Sequence, residues 1–102
     1  MKISITSPTH MSIVGRELIV KGKVTGNKPV QLYILADDNK WYLQEHTVYH
    51  GSKWATKCYL GTPESTNRWY VIAAVVDNKR PHSPVKDINH TSNYLVEVTV
   101  AD

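Results

Sequence analysis

Five histidines are the residues of this 102-residue sequence whose chemistry first suggests a metal site. His46 and His50 are four residues apart, a spacing that places two imidazoles side by side on a helix. Here they lie at the end of a predicted strand, where four residues span about 13 Å, too far for one zinc ion. His10, His82 and His90 lie in predicted loops without paired spacing. We therefore expect no metal and no cofactor.

An acidic turn and a single cysteine are the other candidates for metal binding or catalysis. The segment Asp37-Asp38-Asn39 lacks the regular acidic positions and the bidentate glutamate of a calcium loop, so a turn with Asx hydrogen bonds is the better interpretation. Cys58 alternates with Trp54 and Thr56 and is predicted to face the core, where a thiol is inert. The sequence contains no nucleophile-elbow or phosphate-loop motif. We therefore expect no enzymatic activity, and a lone cysteine excludes an internal disulfide.

The elements that must position these residues are strands, because polar and apolar residues alternate along the sequence and helical periodicity is nearly absent. The length fits a single domain over residues 1–102. The predicted strands are Lys2–Thr6, Glu17–Val24, Val30–Ala36, Trp41–Val48, Lys53–Leu60, Trp69–Asp77 and Tyr94–Ala101. Their number and spacing predict an all-β fold, a seven-stranded β-sandwich with Greek-key connections.

Six short motifs lie in or beside these predicted strands. They are Ile5-Thr6-Ser7-Pro8, Val14-Gly15, Leu18–Val24, Trp41-Tyr42-Leu43-Gln44, Gly51-Ser52-Lys53-Trp54 and Leu60-Gly61. These motifs resemble the strands of bacterial immunoglobulin-like domains from secreted and surface proteins. The resemblance implies an immunoglobulin-like β-sandwich. The cysteine pair of antibody domains is missing, and the third predicted strand has no tryptophan, which favours the disulfide-free, fibronectin type III-like branch.

The same resemblance bears on where the protein works. No signal-peptide pattern is present in the sequence. If the chain is part of a larger protein, we expect it to be extracytoplasmic or on the cell surface. The longest apolar run, Val71 to Val76, is too short to span a bilayer, so we expect no membrane insertion.

One predicted sheet has a basic outer face. The first, second and fifth predicted strands form this sheet, and their outward residues are Lys2, Ser4, Lys21, Lys23, Lys53, Ala55, Lys57 and Tyr59. Such lysines keep a β-protein soluble and discourage edge pairing. The alternative is contact with an anionic partner such as an acidic polysaccharide. No arginine lies among these positions, which argues against nucleic acid as the partner.

The outer face of the other predicted sheet is unusually apolar. Alternation along Trp69–Asp77 points Tyr70, Ile72, Ala74 and Val76 inward. The apolar residues predicted to point outward are Tyr33, Leu35, Trp69, Val71, Ala73, Val75 and Leu95. A contiguous apolar patch usually marks an interface. The alternative is that Trp41 and Leu43 on the fourth predicted strand, or the long loop that follows Trp69–Asp77, cover this face.

That loop, residues 78–93, is longer than most connections in compact domains. It contains the basic residues Lys79, Arg80 and His82, which we add to the predicted partner-binding residues. The apolar face and the loop together predict a non-catalytic protein–protein interaction module, acting on a protein partner or by self-association. The alternatives are a carbohydrate-binding module, which requires two or three coplanar exposed aromatic rings, and a small stand-alone inhibitor protein.

Overall fold

A computed structural model describes residues 3–26, 29–36, 38–62, 64–76 and 93–101, which contain nine β-strands. The strands are β1 (Ile3–Ser7), β2 (Ser12–Val14), β3 (Glu17–Val24), β4 (Val30–Leu35), β5 (Trp41–Leu43), β6 (Val48–His50), β7 (Lys53–Tyr59), β8 (Trp69–Val76) and β9 (Asn93–Val100). No helix capable of crossing a lipid bilayer occurs in these ranges.

The strands form two sheets. One is four-stranded, in the order β1-β3-β7-β6, and the other is five-stranded, in the order β2-β9-β8-β4-β5. Pairing is antiparallel throughout except between β2 and β9, which are parallel. The prediction of an all-β fold in two sheets is confirmed. So is the expected division, in which β1, β3 and β7 share one sheet and β4, β8 and β9 share the other.

The predicted number of seven strands was wrong, because the described residues contain nine. Strand β2 lies between the first two predicted strands, and its three residues are too few to show alternation in the sequence. The predicted strand Trp41–Val48 is divided: β5 pairs with β4, whereas β6 pairs with β7 in the opposite sheet. The chain therefore passes from one sheet to the other between Leu43 and Val48.

Gln44 and Thr47 hold this crossing segment to both sheets. The amide nitrogen of Gln44 donates to the carbonyl oxygen of Leu32 on β4, at 2.9 Å. Its side-chain Oε1 accepts from the amide of Tyr59 on β7, at 3.0 Å. Thr47 Oγ1 lies 2.9 Å from Thr56 Oγ1, also on β7. The polar groups of the segment thus find partners in two sheets, which satisfies them without a continuous strand.

The main core lies between the two sheets. Its buried members are Ile5, Val20, Val24, Val30, Leu32, Ile34, Trp54, Cys58, Leu60, Tyr70, Ile72, Ala74, Val76, Val96, Val98 and Val100. All four residues of β8 that were predicted to point inward are among them, so the predicted phase of this strand is confirmed. The burial of Cys58 is confirmed as well, because its side chain is fully enclosed.

Trp54 packs against a position that only glycine can occupy. Gly22 on β3 lies opposite Trp54 on β7 in the register of the two strands. A Cβ atom at Gly22 would overlap both the indole ring of Trp54 and the carbonyl oxygen of Ser4 on β1. The close approach of these three strands therefore depends on the missing side chain.

Gly22→Ala should lower the free energy of unfolding by at least about 1–3 kcal/mol, because the added methyl group forces backbone or indole to move. Gly15→Ala is the matched control, since Gly15 is exposed and its nearest atom would be a carbonyl oxygen at 3.9 Å. The control should change stability by no more than about 0.5 kcal/mol. Urea denaturation measures both. Equal stability of the two variants would contradict the packing described for Trp54.

Cys58 should react slowly with a thiol reagent in the folded protein and rapidly in denaturant. Burial disfavours the charged thiolate and raises the pKa of the Cys58 thiol, and the nearby charge of Glu45 raises it further. The thiolate is the reactive form, so both its low population and its lack of access slow the reaction. Labelling followed by mass spectrometry gives the two rates. Rapid labelling of the native protein would mean that β7 faces the other way.

Candidate functional site

The outer face of the five-stranded sheet holds the predicted apolar interface, and the structure divides it. Trp69 is 48% exposed and Leu95 is 50% exposed, as predicted. Tyr33, Val71 and Val75 are only 3%, 8% and 1% exposed, so their predicted accessibility to a partner was wrong. Leu35 is half-buried.

The buried part of this face is a second, smaller core. Tyr33, Ala73 and Val75 form it, and Trp41 and Leu43 pack against it. Leu43 lies directly opposite Tyr33 in the pairing of β5 with β4. The alternative in which Trp41 and Leu43 contribute to covering the face is therefore confirmed. Strand β5 extends the sheet at the edge of β4. Its apolar side chains pack over Tyr33, Ala73 and Val75, which the alternation in the sequence predicts to point outward.

A buried hydrogen bond fixes the polar groups of this second core. The hydroxyl of Tyr33 donates to Oε1 of Gln31 at 2.8 Å, and the two side chains are 3% and 6% exposed. A buried tyrosine hydroxyl requires a partner, and Gln31 supplies it two residues away on the same face. These residues contribute to stability and do not form an accessible binding surface.

The exposed part of the face lies toward β2. We define the β2–β9–β8 patch as Met11, Ile13, Trp69 and Leu95, whose exposed fractions are 68%, 72%, 48% and 50%. Ile13 on β2 and Trp69 on β8 both lie opposite Thr99 of β9, so the three form one row across the strands. Met11 and Ile13 were missed, because nothing in their short segment distinguished a strand from a loop.

A polar pair lies on the neighbouring part of the patch. The amide of Glu97 on β9 donates to Nδ1 of His10 at 3.1 Å, and Nε2 of His10 lies 3.5 Å from the Glu97 carboxylate. The amide of Met11 donates to the carbonyl oxygen of Glu97 at 2.7 Å. These contacts position the segment before β2 against β9. They also place polar groups beside Ile13 and Leu95.

The lysine face of the four-stranded sheet is confirmed for its described residues. Lys21, Lys23, Lys53 and Lys57 are exposed on it, whereas the predicted Lys2 lies outside the described residues. Lys57 pairs with Glu17 at 2.9 Å, and this hydrogen bond raises the pKa of the lysine. Lys23 and Lys53 lie directly opposite each other, so two like charges face one another on this surface.

The predicted basic loop residues Lys79, Arg80 and His82 lie outside the described residues. Within the described ranges, no three His, Cys, Asp or Glu side chains are close enough to hold a metal ion. The Asx turn predicted at Asp38 is confirmed, because its Oδ1 accepts the amide of Lys40 at 3.0 Å. Asn39 beside it adopts the left-handed conformation with φ of 62°, which this residue type tolerates.

Comparison with known proteins does not assign the chain to a family. No protein-family model matches the sequence, and no curated protein sequence is significantly similar to it. A chain in a structure described as the structural basis of T cell specificity and activation by the bacterial superantigen toxic shock syndrome toxin-1 is similar in shape. The match has a TM-score of 0.45 and 11% identity, covering 97% of this chain and 98% of the other. A similarity at that level has no bearing on function.

The division of the outer face predicts opposite results for two substitutions. Val75→Ala should lower the free energy of unfolding by about 2 kcal/mol, because it removes two buried methyl groups and leaves a cavity. Leu95→Ala should change it by no more than about 0.5 kcal/mol, because half of that side chain already contacts water. Thermal and urea denaturation measure the difference. A larger loss for Leu95→Ala would contradict the assignment of the exposed patch.

Proposed function

We propose that this protein is an immunoglobulin-like, non-catalytic interaction module that contacts a protein partner, or a second copy of itself, through the β2–β9–β8 patch. The strand orders support the fold assignment. In the letters used for immunoglobulin domains, β1-β3-β7-β6 corresponds to A-B-E-D, and β9-β8-β4-β5 corresponds to G-F-C-C′. The short β2, parallel to β9, is a second strand formed by the segment that follows β1.

The observation that supports the function best is the clustering of exposed large apolar side chains. Ile13 and Trp69 lie on either side of Thr99, and Leu95 lies on the same face of β9 beyond Glu97; each of the three apolar side chains is about half exposed or more. Single exposed apolar residues are common, but a contiguous group usually indicates an interaction surface. Tryptophan is enriched among the residues that dominate binding energy at interfaces. The His10–Glu97 pair adds polar groups of the kind found at the rim of such surfaces.

Contact with protein fits this face better than contact with a sugar. Stacking on a sugar requires two or three exposed coplanar rings, but Tyr33 is buried and Trp41 is half-buried. Trp69 is the one aromatic side chain of the patch that is substantially exposed among the described residues. The aliphatic Ile13 and Leu95 contribute the rest. A small inhibitor that blocks a larger protein would use the same patch.

The test compares two double variants that each remove two exposed apolar side chains from one face. Trp69→Ser with Leu95→Ser alters the patch, whereas Ile19→Ser with Val48→Ser alters the four-stranded sheet. Ile19 and Val48 are 56% and 59% exposed, so the control removes comparable surface. Both double variants should fold, because neither removes a core residue.

Each protein is studied by sedimentation velocity over a wide concentration range, and each is immobilised to capture proteins from extracts of its host. We expect a dimer, or a specific captured protein, with the wild type and with the control. The Trp69→Ser with Leu95→Ser variant should form no dimer and capture no specific protein. Loss in the control alone, equal binding by all three proteins, or a wild type that stays monomeric and captures nothing would overturn the proposal.

A further inference from the structure

A pocket of about 880 Å³ opens between the two sheets, at a site separate from the β2–β9–β8 patch. It lies where β4 and β7 end, beside the segment that crosses between the sheets. The side chains that matter for its chemistry are Asp38, Tyr42, Glu45, His46, Tyr59 and Tyr70. Its volume is within the range of small-molecule sites, about 300–1,000 Å³.

Arg16 holds one wall of this pocket in place. Its guanidinium donates to the carbonyl oxygens of Leu60 and Ser65, each at 2.8 Å, and to that of Asn67 at 3.3 Å. The amide of Leu60 donates in return to the carbonyl oxygen of Arg16 at 2.7 Å. These bonds fix the connection between β7 and β8, in which Ser65 and Gly61 line the pocket.

Gly61 lets that wall approach the pocket floor closely. It has a φ of 77°, which favours glycine. A Cβ atom at this position would lie 2.5 Å from the hydroxyl of Tyr70 and 2.7 Å from Oγ of Ser65. The opposite wall is held by Gln44, which bonds to both sheets. The pocket is therefore enclosed by anchored segments on two sides.

The pocket lining is acidic although the chain as a whole has a net charge of +3. Asp38 and Glu45 supply two carboxyl groups and His46 an imidazole, and none of the described lining residues is a lysine or arginine. The pKa of Asp38 lies below its usual value, first because the hydroxyl of Tyr42 donates to its Oδ2 at 2.5 Å. The amide and ammonium groups of Lys40 lower it further. Asp38 is therefore ionised at neutral pH.

Three tyrosine rings line the same pocket. Tyr42 lies opposite Ile34 in the pairing of β5 with β4, at the edge of the core, and Tyr70 belongs to the core. Tyr59 is 46% exposed, and the Lys57 ammonium lies 5.6 Å from its ring centroid. Lys57 is itself neutralised by Glu17 at 2.9 Å. Aromatic faces and carboxylates are the two groups that proteins use to bind organic cations.

We propose that this pocket binds an organic cation, an ammonium or guanidinium group attached to an apolar body. The carboxylates of Asp38 and Glu45 would attract the charge, and the tyrosine rings would contact the apolar part. The cation could belong to a free amine or to a lysine or arginine side chain of another protein. The proposal is independent of the β2–β9–β8 patch, which shares none of these residues.

A neutral sugar fits the pocket less well. Tyr70 is only 3% exposed and Tyr42 is half-buried, so these rings do not form the open platform on which a sugar ring stacks. An anion is disfavoured for a different reason. Its charge would be repelled by the two carboxylates, and no lysine or arginine of the described lining would offset them; His46 is the one basic side chain among the described lining residues.

Isothermal titration calorimetry on the full chain tests the proposal with five probes. Choline and agmatine represent free cations, capped lysine and capped arginine amides represent protein side chains, and methyl β-glucoside is the neutral control. At least one cation should bind with a millimolar or lower Kd, and the glucoside should bind at least about tenfold more weakly because it lacks a charge. Tighter binding of the capped amino acids would identify a protein as the source, and tighter binding of choline or agmatine would identify a free amine.

Matched variants link the binding to the pocket. Asp38→Asn and Glu45→Gln should each weaken cation binding by about fivefold, since each removes one nearby charge. Glu64→Gln removes an exposed carboxylate that does not line the pocket and should leave the Kd unchanged. Circular dichroism and the Tm confirm that each variant is folded.

Absence of cation binding, equal or tighter binding of the glucoside, or an equal loss in Glu64→Gln would overturn the proposal. Trp69→Ser with Leu95→Ser should bind the cation normally, so failure at the patch and failure at the pocket are distinguishable.

Discussion

Strand β8 is buried on both of its faces, and the other surfaces of the protein depend on this constraint. Its residues from Val71 to Val76 are all 8% exposed or less. The four-stranded sheet covers the inner face of β8, in the core that includes Ile72. On the outer face, Trp41 and Leu43 pack over the cluster of Tyr33, Ala73 and Val75. The cover from β5 lies on the β4 side, so the outer face remains open on the β9 side, where Leu95 and Trp69 are exposed. The candidate interface is the part of an apolar sheet that β5 does not reach.

The short length of strand β5 also explains where the pocket lies. Strand β5 has only three residues, after which the chain crosses to the four-stranded sheet and forms β6. Gln44 and Thr47 satisfy their polar groups on both sheets along the way. The crossing leaves Tyr42 at the open edge between the sheets, beside the ends of β4 and β7. The patch therefore belongs to the outer face of one sheet and the pocket to the gap between two. The apolar patch and the acidic, aromatic pocket have no residue in common.

The sequence predicted some strands with correct bounds and did not predict others. Strand β3 has the predicted bounds, Glu17–Val24, because its alternation is long and regular. Strand β2 was not predicted, since three residues give almost no periodicity, and with it Ile13 was missed as part of the patch. The acidic pocket was not predicted either. Asp38 and Glu45 are far from Tyr59 and Tyr70 along the chain, and no local spacing relates them. They meet only because β5 pairs with β4 while the next segment joins the opposite sheet.

The sequence by itself determined which residues of a strand share a face. Alternation is a local property of an extended backbone, and it correctly grouped Tyr70 with Ile72, and Ala73 with Val75. Only the tertiary structure decided which outward residues meet water. Tyr33 and Leu95 were both predicted to point outward, yet one is 3% exposed and the other 50%. The difference comes from β5, a separate segment that packs over Tyr33 and not over Leu95. Burial is a long-range property, because it depends on where other parts of the chain lie. The alternation within one strand does not show which segments pack over it.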